Sequence, residues 1–220
     1  TSLRVRMFIG VPPPKTVLMI LNSLTPVNYL QTRNTVLQCV FDRKEMMAVT
    51  WDVLRYDTVD STNNVCKALA AQGLDSTAVI ARAQTAGKGR LGRSFQSPEG
   101  GLYLSVLWRN CLAEQLLTVT PLAAVAVCRA VESLCGTDCG IKWCNDVVLH
   151  GKKLCGILTE SSLLPDGSAV WLVVGIGVNV GQASFPPDIA DMATSLALQE
   201  LDVSPDALAD AILAQLTAMR

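Results

Sequence analysis

Apolar and polar positions along the 220-residue chain follow two alternating periods. Val53 to Val59 and Ala78 to Ala83 are short β-type runs, and Leu102 to Trp108 alternates as a strand does. Between the first two runs, Asp60-Ser61-Thr62 supplies a helix N-cap. Val65, Leu69 and Ala70 give that helix an apolar face, and Gly73 ends it. Glu114 to Leu134 has helical spacing and is largely apolar, which predicts a helix buried against a sheet, started or kinked by Pro121. Gly140 to Trp143, Val147 to Leu149 and Leu154 to Glu160 read as strands, the last two joined by a hairpin turn at His150-Gly151. Pro165-Asp166-Gly167 turns the chain into a further strand, Trp171 to Val174. Ser204-Pro205-Asp206 opens the last helix with cap and first-turn residues in their preferred order.

Strands linked mostly through hairpins, with two or three helices between them and no regular βαβ alternation, predict an α+β domain. Its sheet is expected to be mixed and mostly antiparallel, with helices packed on one side. The main domain is placed at residues 49–220, with residues 1–48 as an N-terminal extension. In that extension Val11-Pro12-Pro13-Pro14 stops regular structure, Val17 to Leu24 is a short apolar piece, and Thr35 to Phe41 is strand-like. The first 41 residues hold Arg4, Arg6, Lys15 and Arg33 but no Asp or Glu, a composition that resembles a mitochondrial presequence. The alternatives are an ordered extension or an upstream segment before a start at Met46 or Met47. The expected location is cytoplasmic, with mitochondrial as the alternative.

Composition narrows the function classes. Half of the residues are apolar and 17% are charged, enough for one substantial core and too apolar for a disordered chain. The net charge of −1 gives no global field toward nucleic acid or an anionic membrane, so neither is expected as a partner. A local cluster of Lys and Arg therefore carries more information. Ala169 to Val180, read as the most apolar stretch, is shorter than the roughly 18 residues a bilayer needs. It reads as a buried strand. Eight cysteines occur without a CxxC pair, beside the single histidine His150. Neither zinc nor haem is expected, and the thiols are expected to be small core residues in a reducing compartment.

Such a cluster lies at Gly87-Lys88-Gly89-Arg90-Leu91-Gly92-Arg93. Its glycines let backbone N–H groups approach a ligand closely, and Lys88, Arg90 and Arg93 supply positive charge for phosphate or carboxylate. It lacks the Gly-Lys-Ser/Thr ending of a P-loop and the βαβ frame of a dinucleotide fingerprint. A solvated basic loop is the alternative. Lys142-Trp143-Cys144-Asn145-Asp146 sets an amide beside a carboxylate at a strand end, either to hold Mg²⁺ or a ribose or simply as a turn. Lys153 precedes the apolar run Leu154-Cys155-Gly156-Ile157-Leu158, as an edge gatekeeper or as a cation aimed into a pocket where Gly156 leaves room. Gly175-Ile176-Gly177-Val178-Asn179 ends a strand with two glycines and an amide, a pattern a bulge or turn would also produce.

Taken together, these segments resemble the catalytic domain of biotin protein ligases over roughly Tyr56 to Leu196. Asp60-Ser61-Thr62-Asn63 is similar to the family's DSTN segment, and Gln84 with Gly87 to Arg93 to its glycine-rich loop. Lys142 to Asp146 resembles KWPND, Lys153 to Leu158 resembles KLAGIL, and Gly175 to Asn179 resembles GxGxN, with Ala193-Thr194-Ser195-Leu196 as a further matching tetrapeptide. The resemblance implies a fold like that of class II aminoacyl-tRNA synthetases and biotin synthetase. It implies that Ser61, Thr62, Asn63, Gln84, Gly89 and Gly156 bind biotin, and that Lys88, Arg90 and Lys153 are catalytic, gripping the biotin carboxylate and the α-phosphate. Arg93, Phe95, Asn145, Asp146 and Asn179 would then face ATP, with Asp146 toward Mg²⁺.

The implied reaction has two steps, formation of biotinyl-5′-AMP from biotin and ATP, then transfer to a lysine on the carrier domain of a biotin-dependent carboxylase. A homodimer is a further expectation. The chain departs from the family pattern at Phe95 (usually Trp), Cys144 (usually Pro) and Lys88 (usually Arg). The family's DNA-binding winged helix and small C-terminal domain are not expected in it. A lipoate ligase or octanoyltransferase of the same fold, and a non-catalytic biotin-binding protein, are the rival readings.

Overall fold

The computed structural model describes Val5–Phe8, Val36–Leu37 and residues 50–218. The expectations for Val11 to Pro14 and Val17 to Leu24 lie outside the described residues. In chain order the elements are β1 (Val5–Phe8), β2 (Val36–Leu37), β3 (Asp52–Val59), α1 (Thr62–Ala71) and β4 (Thr77–Gln84). They continue with β5 (Leu102–Cys111), α2 (Ala113–Cys135), β6 (Gly140–Lys142), β7 (Asp146–Leu149), β8 (Lys152–Leu163), β9 (Ala169–Val178) and α3 (Pro205–Thr217). The strands form one sheet in the order β2-β1-β6-β7-β8-β9-β5-β4-β3. Neighbours run antiparallel except β1 beside β6 and β3 beside β4. The α+β expectation with a mixed, mostly antiparallel sheet therefore holds.

The helices do not share one side. Because β3 and β4 are parallel, their connection has to cross a face of the sheet, and α1 is that crossover. Its Cys66 and Ala70 pack on Val79, Leu107 and Val173. The other face carries α2 and α3. Ala123, Ala126, Val127, Ala130 and Val131 of α2 and Leu208, Ile212 and Leu216 of α3 pack with Leu104, Val106, Leu172, Val174 and Ile176 into the larger core. Placing the helices on one side did not allow for this crossover. Leu102 to Trp108 are all buried because both faces of the sheet are covered.

α2 is long and apolar enough, by length and composition alone, to cross a membrane, which the expectation from Ala169 to Val180 overlooked. In this fold it is a core helix with one side against the sheet. Pro121 lies inside it rather than at its start. His150 (φ 48°) and Gly151 (φ 81°) form the two-residue hairpin turn foreseen between β7 and β8. Ser204 caps α3 through a bond from the Ala207 N–H to its hydroxyl.

Candidate functional site

A pocket of about 480 Å³ opens on the α1 face, between the start of α1, strands β8 and β9 and the glycine-rich loop after β4. The space exists because β8 and β9 carry glycines there. Gly156 pairs with Gly177, and Leu158 with Gly175, with no break in register. A Cβ on Gly175 would overlap Asn63 Oδ1, and one on Gly177 would stand 2.6 Å from Phe95 Cε1. These glycines are thus close-approach positions in a regular strand, and neither a bulge nor a turn.

One end of the pocket is polar and buried. Ser61 occupies the N-cap of α1 with extended backbone, but its hydroxyl makes no capping bond and lines the pocket instead. The Thr62 N–H donates to Gln84 Oε1 at 2.9 Å, and Gln84 Nε2 donates to Ser97 Oγ at 2.8 Å. Asn63 Nδ2 donates to Glu160 Oε2 at 2.8 Å, while Ser105 Oγ lies 2.6 Å from Asn63 Oδ1 and 2.7 Å from Thr62 Oγ1. Lys67 closes the group with an ion pair to Glu160 at 2.9 Å. Burial pushes the Glu160 carboxyl up, but hydrogen bonds from Lys67 and Asn63 and the charges of Lys67 and Lys88 outweigh it and hold the group below its usual value. Ser105, Glu160 and Lys67 escaped the sequence reading. The available signal was a lone serine at the centre of an otherwise apolar β5.

The glycine-rich loop is folded, which sets aside a free solvated loop. Phe95 N–H donates to Gly87 O at 2.9 Å and Gly89 N–H to Arg93 O at 2.7 Å, closing it as a tight hairpin whose tip, Leu91, is 91% exposed. Gly87 is required at the root, where a Cβ would overlap Phe95 O and Ser97 Oγ. From this hairpin Arg90 reaches across the pocket mouth to Asn145 Oδ1 at 2.8 Å. Lys88 instead reaches back to Asn64 Oδ1 at 2.6 Å.

The other end is cationic. The ladder between β7 and β8 slips so that Val147 faces Cys155 while Val148 faces Lys153. Leu154 is the extra residue, and the slip turns Lys153 onto the pocket face beside Gly156. Its Nζ pairs with Asp146 Oδ1 at 2.9 Å, with the two side chains 39% and 21% exposed. Lys142 to Asp146 is both the β6–β7 turn and the frame that holds Asn145 at the mouth.

Of the residues singled out from sequence, Ser61, Thr62, Asn63, Gln84, Lys88, Gly89, Arg90, Phe95, Asn145, Lys153 and Gly156 line this pocket. Asp146 stands behind Lys153. Arg93 is exposed on the far limb of the hairpin, away from the wall. Asn179 is also off the wall: it is buried, and its Nδ2 donates to Thr194 O at 3.0 Å and to Lys153 O at 3.5 Å, tying the end of β9 to residue 194 and to the start of β8. Tyr103 is an unforeseen wall residue; burial raises its hydroxyl to about 12, partly offset by a bond from Gln182. Among the described residues no group of three or more His, Cys, Asp or Glu could hold a metal ion.

Along β8 the sequence of features is Glu160, then Leu158 against Asn63, then Gly156 under Phe95, then Lys153. At roughly 3.3 Å per residue, Leu158 and Lys153 are about 17 Å apart. The arrangement fits an elongated ligand with a hydrogen-bonding head, an apolar middle and an anionic tail.

A family model described as the biotin/lipoate A/B protein ligase family matches residues 55–179. The bifunctional ligase/repressor BirA of Bacillus spizizenii is 41% identical over 145 residues, covering 64% of this chain and 44% of the relative. The chain thus spans about half the length of the curated relatives it matches. Among solved structures, the biotin protein ligase from Aquifex aeolicus in complex with biotin and ATP superposes with a TM-score of 0.61 at 34% identity, covering 75% of this chain and 68% of that one. The biotin protein ligase of Leishmania major in complex with biotinyl-5-AMP gives 0.64 at 31% identity, over 76% and 73% of the two chains.

Proposed function

The chain belongs to the biotin/lipoate A/B protein ligase family, and we propose that it activates biotin with ATP and passes the biotinyl group to a carrier-protein lysine. The observation that carries this reading is the pocket's axis, a buried donor–acceptor cluster at one end and converging cations at the other. A cyclic urea satisfies the buried polar end. A dithiolane offers no partner to the Ser61 hydroxyl or to the remaining acceptor capacity of Thr62 and Gln84, at about 1–3 kcal/mol for each group it buries unpaired, which favours biotin over lipoate.

Ser61, Thr62, Asn63 and Gln84 hold the ureido head, with Gly156, Gly175 and Gly177 letting Asn63 and Phe95 sit close against β8 and β9 as walls of the pocket. In the first step a carboxylate oxygen of biotin forms a bond to the α-phosphorus of ATP. The bond from that phosphorus to the bridging oxygen breaks, and pyrophosphate leaves. Lys153 and Arg90 stand where two anions meet, and their charge offsets the repulsion and the charge that builds on phosphorus. Asp146 is the residue that would hold Mg²⁺ brought in by the nucleotide, and the ion would supply further positive charge to the phosphates. Asn145 and Phe95 face the nucleotide side of the mouth, with Arg93 and Asn179 as outlying supports.

In the second step a lysine ε-amine attacks the acyl carbon of the mixed anhydride, AMP leaves, and the amine gives up its proton to solvent. The acceptor in this proposal is the carrier domain of a biotin-dependent carboxylase. A homodimer belongs to the proposal too, supported by β3, which among the described residues is an exposed edge strand of the sheet. A cytoplasmic setting is retained from the sequence. The deciding measurement is ATP-dependent pyrophosphate release with biotin, lipoate or neither. Release with biotin alone is expected, and release driven by lipoate overturns the substrate assignment.

A further inference from the structure

The polar end of the pocket is a chain of hydrogen bonds whose direction the structure determines. A carboxylate only accepts. Asn63 Nδ2 faces two acceptors, Glu160 Oε2 at 2.8 Å and Leu158 O at 3.3 Å, so the amide carbonyl must face Ser105. That carbonyl only accepts, so the single proton of the Ser105 hydroxyl lies on the 2.6 Å contact to Asn63 Oδ1. Toward Thr62 Oγ1, 2.7 Å away, Ser105 Oγ can then offer only a lone pair, and the Thr62 proton occupies that contact. The competing acceptor, Gln84 Oε1, is 3.2 Å away and already takes the Thr62 N–H. Thr62, Asn63 and Ser105 are 3%, 3% and 0% exposed, so water has little access to reset the order.

We propose that the Lys67–Glu160 ion pair sets the direction of this chain, so that Thr62 meets the ligand as a hydrogen-bond acceptor and selects a ring N–H at that point. Lys67 keeps the Glu160 carboxylate ionised and in place; a protonated carboxyl could donate to the amide and let the chain reverse. The carboxyl's lowered pKa agrees with this. Lys67, Glu160 and Ser105 do not line the pocket, so they are positioning residues acting through Asn63 and Thr62. The inference rests on biotin being the ligand, whose urea carries two ring N–H donors.

The test compares binding of biotin with that of two isosteric analogues, each with one ring N–H replaced by oxygen, to the full chain and its variants. Wild type is expected to bind one of the two analogues at least about tenfold more weakly than biotin, because two acceptors would face each other. In Glu160→Leu only the longer contact to Leu158 O, at 3.3 Å, still orients the Asn63 amide, and the penalty should fall well below its wild-type value. Ser105→Ala cuts the chain at its middle with a smaller change in shape and should do the same, which covers the case in which Glu160→Leu does not fold. A purely structural role for these residues would weaken biotin and analogue alike and leave their ratio unchanged. An unchanged ratio in a folded variant, or equal binding of biotin and both analogues to wild type, overturns the relay while leaving the biotin assignment standing. Failure of wild type to bind biotin at all overturns both.

Discussion

Two cations at the pocket mouth differ in what the rest of the chain asks of them. Among the described residues Lys153 pairs with Asp146 alone and keeps its ammonium beside Gly156, at the place where the ligand's anionic tail would end. Lys153→Ala should therefore lower biotin-dependent pyrophosphate release by about 100- to 1000-fold, the scale seen when a preorganised charge is removed from a transition state. Release close to the wild-type rate would remove Lys153 from the reaction. Arg90 crosses the mouth to Asn145, so Arg90→Gly should open it and speed loss of bound biotinyl-5′-AMP, measured as dissociation of the labelled adenylate. Lys88 reaches away from the mouth to Asn64, and its charge is felt by Asp60 and Glu160. Lys88→Ala should accordingly speed adenylate loss less than Arg90→Gly does, and the reverse order would place Lys88 on the ligand. The residue types were legible in the sequence because glycines and cations cluster in few places. The division of labour was not, since it depends on which way each long side chain turns.

At the level of elements, strands were read well where alternation or flanking turns marked them, as in β4, β5 and the hairpin at His150-Gly151. What the pattern could not show is the slip between β7 and β8. Leu154 and Cys155 are both buried, so the run Leu154 to Leu158 looks like any core strand, yet the extra residue reverses the face on which Lys153 emerges. The glycines of β9 pose the same difficulty: Gly175 and Gly177 resemble a turn in sequence and are a floor in the fold, because their meaning lies in Asn63 and Phe95, contributed by other elements. Gly175→Ala places a methyl group against Asn63 Oδ1 and should cost about 1–3 kcal/mol of stability, seen as a lower urea midpoint. It should weaken biotin binding far more than ATP binding, because Asn63 belongs to the polar end. Equal loss of both ligands would mean that β9 as a whole had shifted.

For the molecule as a whole, α1 is the element that joins pocket and stability. It is the one helix on its face of the sheet among the described residues, and its apolar contacts form the smaller of the two cores. Its polar ties to the sheet run through Lys67 and Asn63 to Glu160 on β8. The strand–helix–strand order was legible in the sequence, but the face on which α1 crosses was not, because periodicity carries no mark of strand direction, and so this dependence was hidden as well. Glu160 faces Lys67 and Asn63 from α1 and feels Lys88 from the loop, and together these hold its folded pKa below the ordinary 4.5 of an unfolded chain. A carboxyl depressed on folding contributes its full stabilisation above the unfolded value, and loses it as pH falls through the folded one. Wild type should therefore exceed Glu160→Gln in urea midpoint by a constant margin from neutral pH down to about pH 5, and the margin should shrink steadily below about 4.5. Biotin affinity, measured across the same range, should fall along with that margin because the same carboxylate orders Asn63. A margin that persists unchanged into acid would show that the charge of Glu160, and so its ion pair with Lys67, contributes nothing to anchoring α1.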